Sequence, residues 1–441
     1  MINETASSTE DRPALRSSVR VPPSGGDSAL HNTDLRDAVA SVLMIEQETH
    51  DPEPEQIARD TIFVMNPQSQ LVASYTGRLL IESEAAYDRL DALLKPMNYL
   101  PVFRWAADRH VVHILSARVT PKPRPWWINV VLLALTIFAV LEVGTRMAIN
   151  EIAAIDLETA EQLFENYYLE LWRGLPYAIS ILLILGGHEL GHYFAARHHR
   201  IAVTLPYFIP APFVSFLGTF GAFIQLREPM RNRKVLLDIG AAGPLAGLLF
   251  AVPILFIGLK TSEVNPITPG LLEGNSILYA LMKILAFGRF LPDGQSDVYI
   301  NQFAMAGWAG LLVTALNLIP LGQLDGGHVL YSLIGNRARL LFFPLIAAAA
   351  VLAFFNDTWI LWVVLLVIFG RTYAAPLDMI TPLDNRRRWI GVVTLLLFLV
   401  TFVPVPLTLV EPVGAPPIRD SVFALPMLTA AGIVLLQRLR R

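Results

Sequence analysis

The chain has 441 residues, of which 54% are hydrophobic and 16% charged, and its formal net charge is −3. So apolar a chain, with its apolar residues in long blocks, is not an ordinary soluble domain and points to a polytopic membrane protein, while the mild negative charge gives no footing for a nucleic-acid partner. There is no cysteine, which excludes disulfides, thiolate metal sites and a cysteine nucleophile, so any metal must rest on His, Asp and Glu.

Residues 1–35 are polar, contain "VPPSGGDS" and read as a disordered N-terminus with neither a secretory nor an organelle-targeting pattern. Residues 36–120 predict a small soluble, cytoplasmic α+β domain. "DTIFVM" (60–65), "QLVASY" (70–75), "YLPVFRWA" (99–106) and "HVVHILSA" (110–117) are strand-like. "ESEAAYDRLDALLKPM" (82–97) places Ala86, Leu90, Leu93, Leu94 and Met97 on one helical face. Residues 121–126, opening on "PKPRP", read as a stiff linker.

The membrane core follows over 127–410, and 411–441 read as a final transmembrane helix with a basic tail. Apolar segments at roughly 127–145, 175–196, 234–258, 301–321, 338–355, 357–371, 389–406 and 421–437 predict about eight transmembrane helices, several long enough for a ~30 Å hydrocarbon core. Arg197, Arg200, Arg227, Arg231, Arg233 and Lys234 lie between segments two and three. Arg337 and Arg339 lie between four and five, Arg371 and Arg386–Arg388 between six and seven, and Arg438, Arg440 and Arg441 end the chain. The first opposite loop, "EIAAIDLETAEQLFENYYLE" (151–170), is acidic. The positive-inside rule therefore puts both termini in the cytoplasm.

Three intramembrane stretches carry chemistry. In "HELGH" (188–192), His188 and His192 sit at i and i+4, on one helical face, where both imidazoles reach a single Zn²⁺. Glu189 lies about 100° round the helix, near a metal without having to bind it, and is placed to take a proton from a metal-bound water. Two histidines and a glutamate at membrane depth are unfavourable without such a partner. "NLIPLGQLDGGH" (317–328) falls at the same depth by the count of segments. It offers Asp325 as the natural third ligand, with His328 as a rival, and Gly326 and Gly327 for a tight turn. Asn317 reads either as a hydrogen-bond donor to the reacting carbonyl or oxyanion, or as polar glue between helices. "LGTFGAFIQLREP" (217–229) is too short to cross as a helix and suits a re-entrant β-hairpin, whose free edge would pair with an unwound substrate segment, or else a packing loop. "GAAGPLAG" (240–247) reads as a structural small-residue face. His198 and His199 are expected to face water, and Glu142 and Asp238 to lie at the interface.

HELGH, then "GAAGPLAG", then Asn317-x-x-Pro320-x-x-x-Leu324-Asp325-Gly326, in that order, resemble the site-2 protease family of intramembrane zinc metalloproteases over about residues 120–410. "TFGAFIQLREP", "TPLDNRRRWIG" (381–391) and the N-terminal "YTGRLLIESEAAYDRL" (75–90) look most like bacterial relatives of the chloroplast branch. The resemblance implies one zinc ion per chain on His188, His192 and Asp325, with Glu189 as catalytic base. It also implies a multi-pass protein of the bacterial inner membrane whose partners are the lipid bilayer and a membrane-protein substrate. No segment reads as the PDZ domain that many bacterial members carry, and the N-terminal unit is the candidate to stand in for it.

The expected activity is cleavage of a transmembrane segment near the cytoplasmic face, as in regulated intramembrane proteolysis. Rival readings are another membrane zinc hydrolase with a different third ligand, a transporter or scaffold whose polar residues line an ion path, and a metal-binding chaperone without proteolysis. The ligand set favours zinc, although Fe²⁺ or Co²⁺ fit the same donors.

Overall fold

The computed structural model describes residues 34–50, 70–116, 118, 124–268 and 270–410. The strand expected at 60–65, most of the expected disordered N-terminus and the eighth apolar segment lie outside the described residues.

Four antiparallel strands, β1 (Leu43–His50), β2 (Leu71–Leu79), β3 (Tyr99–Ala106) and β4 (Arg109–Ser116), form a sheet in the order β1-β2-β4-β3. Tyr75 stands opposite Val112, which also faces Phe103. Helix α1 (Ser83–Leu94) covers this sheet with Ala86, Tyr87, Leu90 and Leu94. The expected helical face is right for Ala86, Leu90 and Leu94. Leu93 is exposed, and Met97 falls in a 3₁₀ turn, because the helix stops at Leu94 ahead of Pro96. β1 escaped the sequence reading: "LMIEQETH" has too few apolar residues on one face to show a period of two.

This unit is fastened to the rest of the chain by a short strap. Phe103 N–H donates to the Leu377 carbonyl (2.9 Å) and Met379 N–H to the Phe103 carbonyl (3.1 Å), so residues 377–379 extend the sheet beyond β3. On its other side the strap donates from Leu377 N–H to the Met230 carbonyl (2.9 Å) and from Asp378 N–H to the Arg231 carbonyl (2.7 Å). The Asp378 side chain is fully buried and accepts from the Ser83 hydroxyl (3.1 Å), from the amides of Ile380 (2.8 Å) and Thr381 (3.1 Å), and from the Thr381 hydroxyl. Arg231–Asp88 and Lys234–Glu84 ion pairs, each 2.6 Å, flank it. Asp378→Ala leaves several buried donors without an acceptor, at about 1–3 kcal/mol for each one left unsatisfied. Limited proteolysis of the detergent-solubilised protein should then cut between the two units several times faster than in wild type. An unchanged rate would mean that the strap does not hold the unit in place.

Four stretches are long and apolar enough to cross a membrane: Trp127–Ala153 (α2), Leu171–His198, Arg233–Lys260 (α5) and Asp325–Phe355. The second contains α4 (Leu175–His198), with α3 (Leu157–Glu165) before it. The fourth joins α8 (Asp325–Ile334) and α9 (Phe342–Phe355) through a 3₁₀ turn. The expected fourth segment is α7 (Gln302–Asn317). Its 16 residues span about 24 Å, and it ends ahead of Pro320. The sixth and seventh are α10 (Thr358–Phe369), with 12 residues, and α11 (Asn385–Thr401), with 17. Among the described residues, then, four helices rather than eight have the length and composition to span. α6 (Ile277–Phe287) is a shorter apolar helix beside two small ladders, β7 (Glu263–Pro266) with β9 (Ser296–Tyr299), and β8 (Gly270–Glu273) with β10 (Leu407–Val410).

α4, α5 and α7 form the centre of the core. Gly258 and Gly307 let α5 and α7 close in: a Cβ on Gly307 would come within 2.6 Å of Leu255 Cα. Along α2 and α4 lies a hairpin of β5 (Tyr207–Pro210) and β6 (Thr219–Phe223). Asn129 donates to the Leu205 and Pro206 carbonyls (2.9 Å each), and the Tyr177 hydroxyl donates to the Leu217 carbonyl (3.0 Å). The hairpin expected over 217–229 thus begins ten residues earlier, because its first strand is broken up by Pro206 and Pro210 and does not read as a strand. Glu142, expected at an interface, is buried against Arg146 (3.2 Å) and the Tyr167 hydroxyl (3.1 Å).

Candidate metal centre

α4 and α8 bring the two remote motifs together. His188 Nε2 lies 3.2 Å from Asp325 Oδ2, His192 Nε2 lies 3.2 Å from the same oxygen, and the two Nε2 atoms are 3.1 Å apart. The three ligand atoms fall within 4.8 Å of one another, and both histidines are buried. Tetrahedral ligands held about 2.0–2.2 Å from Zn²⁺ sit roughly 3.3–3.5 Å apart, so the spacing fits that ion.

The donor chemistry points the same way. His192 Nδ1 is 2.7 Å from the Ile239 carbonyl, which only accepts, so Nδ1 carries a proton and in the neutral ring Nε2 keeps its lone pair for a metal. That nitrogen faces a carboxylate oxygen and a second imidazole nitrogen. Such a convergence of acceptors needs a proton or a cation among them. Asp325 occupies the first turn of α8, where the helix dipole favours a negative charge.

α5 supplies the wall behind the histidines. A Cβ on Gly243 would lie 2.0 Å from His192 Nε2, and one on Gly247 would lie 3.2 Å from His188 Nδ1. The two glycines are four residues apart, the same interval as the histidines opposite them. "GAAGPLAG" is therefore a packing face whose specific task is to admit two imidazole rings. The sequence reading missed this, although the matched spacing carried the signal. Gly326 and Gly327 also differ from expectation. Both are helical, and they are small because the 318–322 segment presses on them: a Cβ on Gly326 would come 1.9 Å from the Leu318 carbonyl oxygen.

Glu189 is buried beside the cluster without joining it, with the backbone amide of Ile224, just past β6, near its carboxylate. Asn317, the last residue of α7, places Nδ2 3.4 Å from His188 Nε2. His328 stays outside the three-residue group; its Cβ packs where Gly240 lacks one, and its Nδ1 has no partner. His198 is exposed as expected. His199 is not turned to water: its Nε2 lies 2.8 Å from Asp238 Oδ2, because the C-terminal turn of α4 packs against α5.

The model of peptidase family M50 matches residues 176–355, the stretch that holds all three clustered residues. "Probable zinc metalloprotease EGY2, chloroplastic" of Arabidopsis thaliana is 34% identical over 249 residues, covering 55% of this chain and 44% of that protein. The protein of the same name in Oryza sativa subsp. indica is 34% identical over 250 residues, with 55% and 45% covered. "Probable zinc metalloprotease EGY1, chloroplastic" of Arabidopsis thaliana is 31% identical over 312 residues, with 67% and 56% covered. The chain spans about half the length of these curated relatives. No solved structure matches it.

Proposed function

We propose that this chain, a member of peptidase family M50, is a zinc-dependent endopeptidase that cuts a transmembrane segment of a membrane protein near the cytoplasmic face. The observation that carries the reading is the convergence of His188, His192 and Asp325 from two remote motifs, with Glu189 alongside. The basic loops support an orientation with both termini and this cluster on the cytoplasmic side of a cell membrane. On this reading α7, α10 and α11 also cross the membrane, and the β5–β6 hairpin dips into the bilayer under cover of α2 and α4.

His188 Nε2, His192 Nε2 and an Asp325 oxygen would hold a zinc ion, which would supply polarisation of the scissile carbonyl and acidification of the attacking water. Glu189 takes the proton of the attacking water and hands it to the leaving nitrogen. The Asn317 amide points its N–H groups at the reacting carbonyl oxygen. The free edge of β6 pairs with the unwound substrate backbone and leads it towards Glu189, since Ile224, the residue after β6, lies near that carboxylate. Gly, Pro or Asn near the cut lowers the free energy of unwinding.

The test is metal content of detergent-purified protein, wild type beside Asp325→Ala. Wild type should carry about one zinc per chain, and the variant a small fraction of that, since a three-residue site that loses its carboxylate loses its shape and its charge balance. Zinc unaffected by the substitution would move the third ligand elsewhere, with His328 next in line. A well-folded wild type without metal would defeat the protease reading in favour of a transporter or scaffold.

A further inference from the structure

Three helices meet on one carboxylate at the end of the core that holds the histidines. Asp238 lies in the second turn of α5. Arg387, in the first turn of α11, donates from Nε to Oδ1 (2.9 Å) and from Nη2 to Oδ2 (2.7 Å). His199, at the C-terminal end of α4, places Nε2 2.8 Å from Oδ2. Arg387 is itself held by Asp384, the N-cap residue of α11, which accepts from Nη1 at 2.6 Å.

The next residue after Asp238 is Ile239, whose carbonyl accepts a hydrogen bond from His192 Nδ1–H. His192 and His199 are seven residues apart, about two turns, so they lie on the same face of α4. The His192 ring has little slack, with the Ile239 carbonyl 2.7 Å from Nδ1 on one side and the missing Cβ of Gly243 on the other. The interlocked packing between α4 and α5 holds the helices together, and a planar guanidinium bonded through two nitrogens to one carboxylate adds a directional restraint on the rotation of α5.

We propose that Asp238 is a positioning residue for the metal centre: tied to His199 on α4 and Arg387 on α11, it fixes the Ile239 carbonyl and through it the aim of His192 Nε2. The inference rests on the metal reading above.

Its test uses Co²⁺, which takes the same ligands and whose visible absorption reports their number and geometry. The full-length protein in detergent is titrated with Co²⁺ and its dissociation constant measured. Asp238→Asn keeps the size of the side chain and removes the ionic anchor. It should weaken Co²⁺ binding about tenfold or more, the usual effect of losing a group that orients a metal-bound histidine, and should change the absorption band. Arg387→Gln, a change at a half-exposed position, should do the same, and the double variant should be no worse than either single one.

Asp297→Asn is the control. It removes a carboxylate from buried Lys283 (Nζ–Oδ1 3.0 Å), in the ladders that follow the opposite end of α5. It should lower the melting temperature and leave Co²⁺ affinity and the band as in wild type. If Asp238→Asn and Arg387→Gln also change only the melting temperature, the positioning role is overturned and the metal reading stands. If wild type binds no Co²⁺, the metal reading falls and takes this inference with it.

Discussion

Glu189→Gln should leave the zinc in place and lower peptide-bond cleavage by about a hundredfold to ten-thousandfold, the range that a positioned general base contributes. At 1.36 kcal/mol per decade this is about 3–5 kcal/mol of transition-state stabilisation. The two halves of the expectation have separate causes. Glutamine is nearly isosteric with glutamate and keeps a side-chain acceptor oxygen, so the buried side chain has no reason to move. The metal is left alone because the clustered ligand atoms belong to His188, His192 and Asp325. What glutamine cannot do is take a proton from water at neutral pH. Zinc content and cleavage of a transmembrane reporter, measured on the same preparation, separate the cases. Full activity in the variant would assign the base elsewhere. Loss of zinc would make Glu189 a ligand and require the cluster to be redrawn.

How much of this could be read from the sequence depends on how local each feature is. His188 and His192 are four residues apart on one helix, so helix geometry alone puts their rings together. Asp325 is remote, and the count of segments, which puts both motifs at one depth, together with the order of motifs suggested that it belongs with them. His199 was misjudged because a polar residue next to Arg197 and Arg200 looks like a solvated one. Nothing in a one-dimensional pattern shows that α5 lies against that turn. The strap at 377–379 was invisible for a similar reason: three residues between Pro376 and Pro382 carry no periodicity, and their pairing with β3 joins segments more than 270 residues apart. The four long stretches differ in their bounds from the apolar blocks because hydropathy measures how apolar a stretch is, not where it breaks. Pro320 ends α7 early, while the helical path through Asp325–Phe355 starts well before the apolar block that announced it.

The glycine wall yields the other large effect. Gly243→Ala introduces a single methyl group whose carbon would lie 2.0 Å from His192 Nε2, against about 3.5–4.0 Å for an ordinary non-bonded contact. There are two ways out, and both damage the site. The imidazole can swing aside, giving up the Ile239 carbonyl and its aim at the cluster. Otherwise α5 must retreat from α4, which gives up their close packing at Gly191, where a Cβ would stand 2.5 Å from the Ala242 carbonyl oxygen. A displacement of about 1 Å at a reacting centre is enough to lower a rate a hundredfold. Zinc per chain should fall well below half of the wild-type value, and cleavage by at least about a hundredfold. Gly247→Ala, with its nearest contacts at 3.2 Å, should be milder. Gly186→Ala provides the comparison that isolates the cause. It sits on α4 only two residues before His188, yet a Cβ there meets nothing nearer than Phe208 Cζ at 3.9 Å. Alanine is favoured over glycine inside a helix by about 1 kcal/mol, so Gly186→Ala should keep its zinc and its rate and be no less stable. If Gly243→Ala behaved like Gly186→Ala, the wall would be ordinary helix packing, and the four-residue match between glycines and histidines would carry no function.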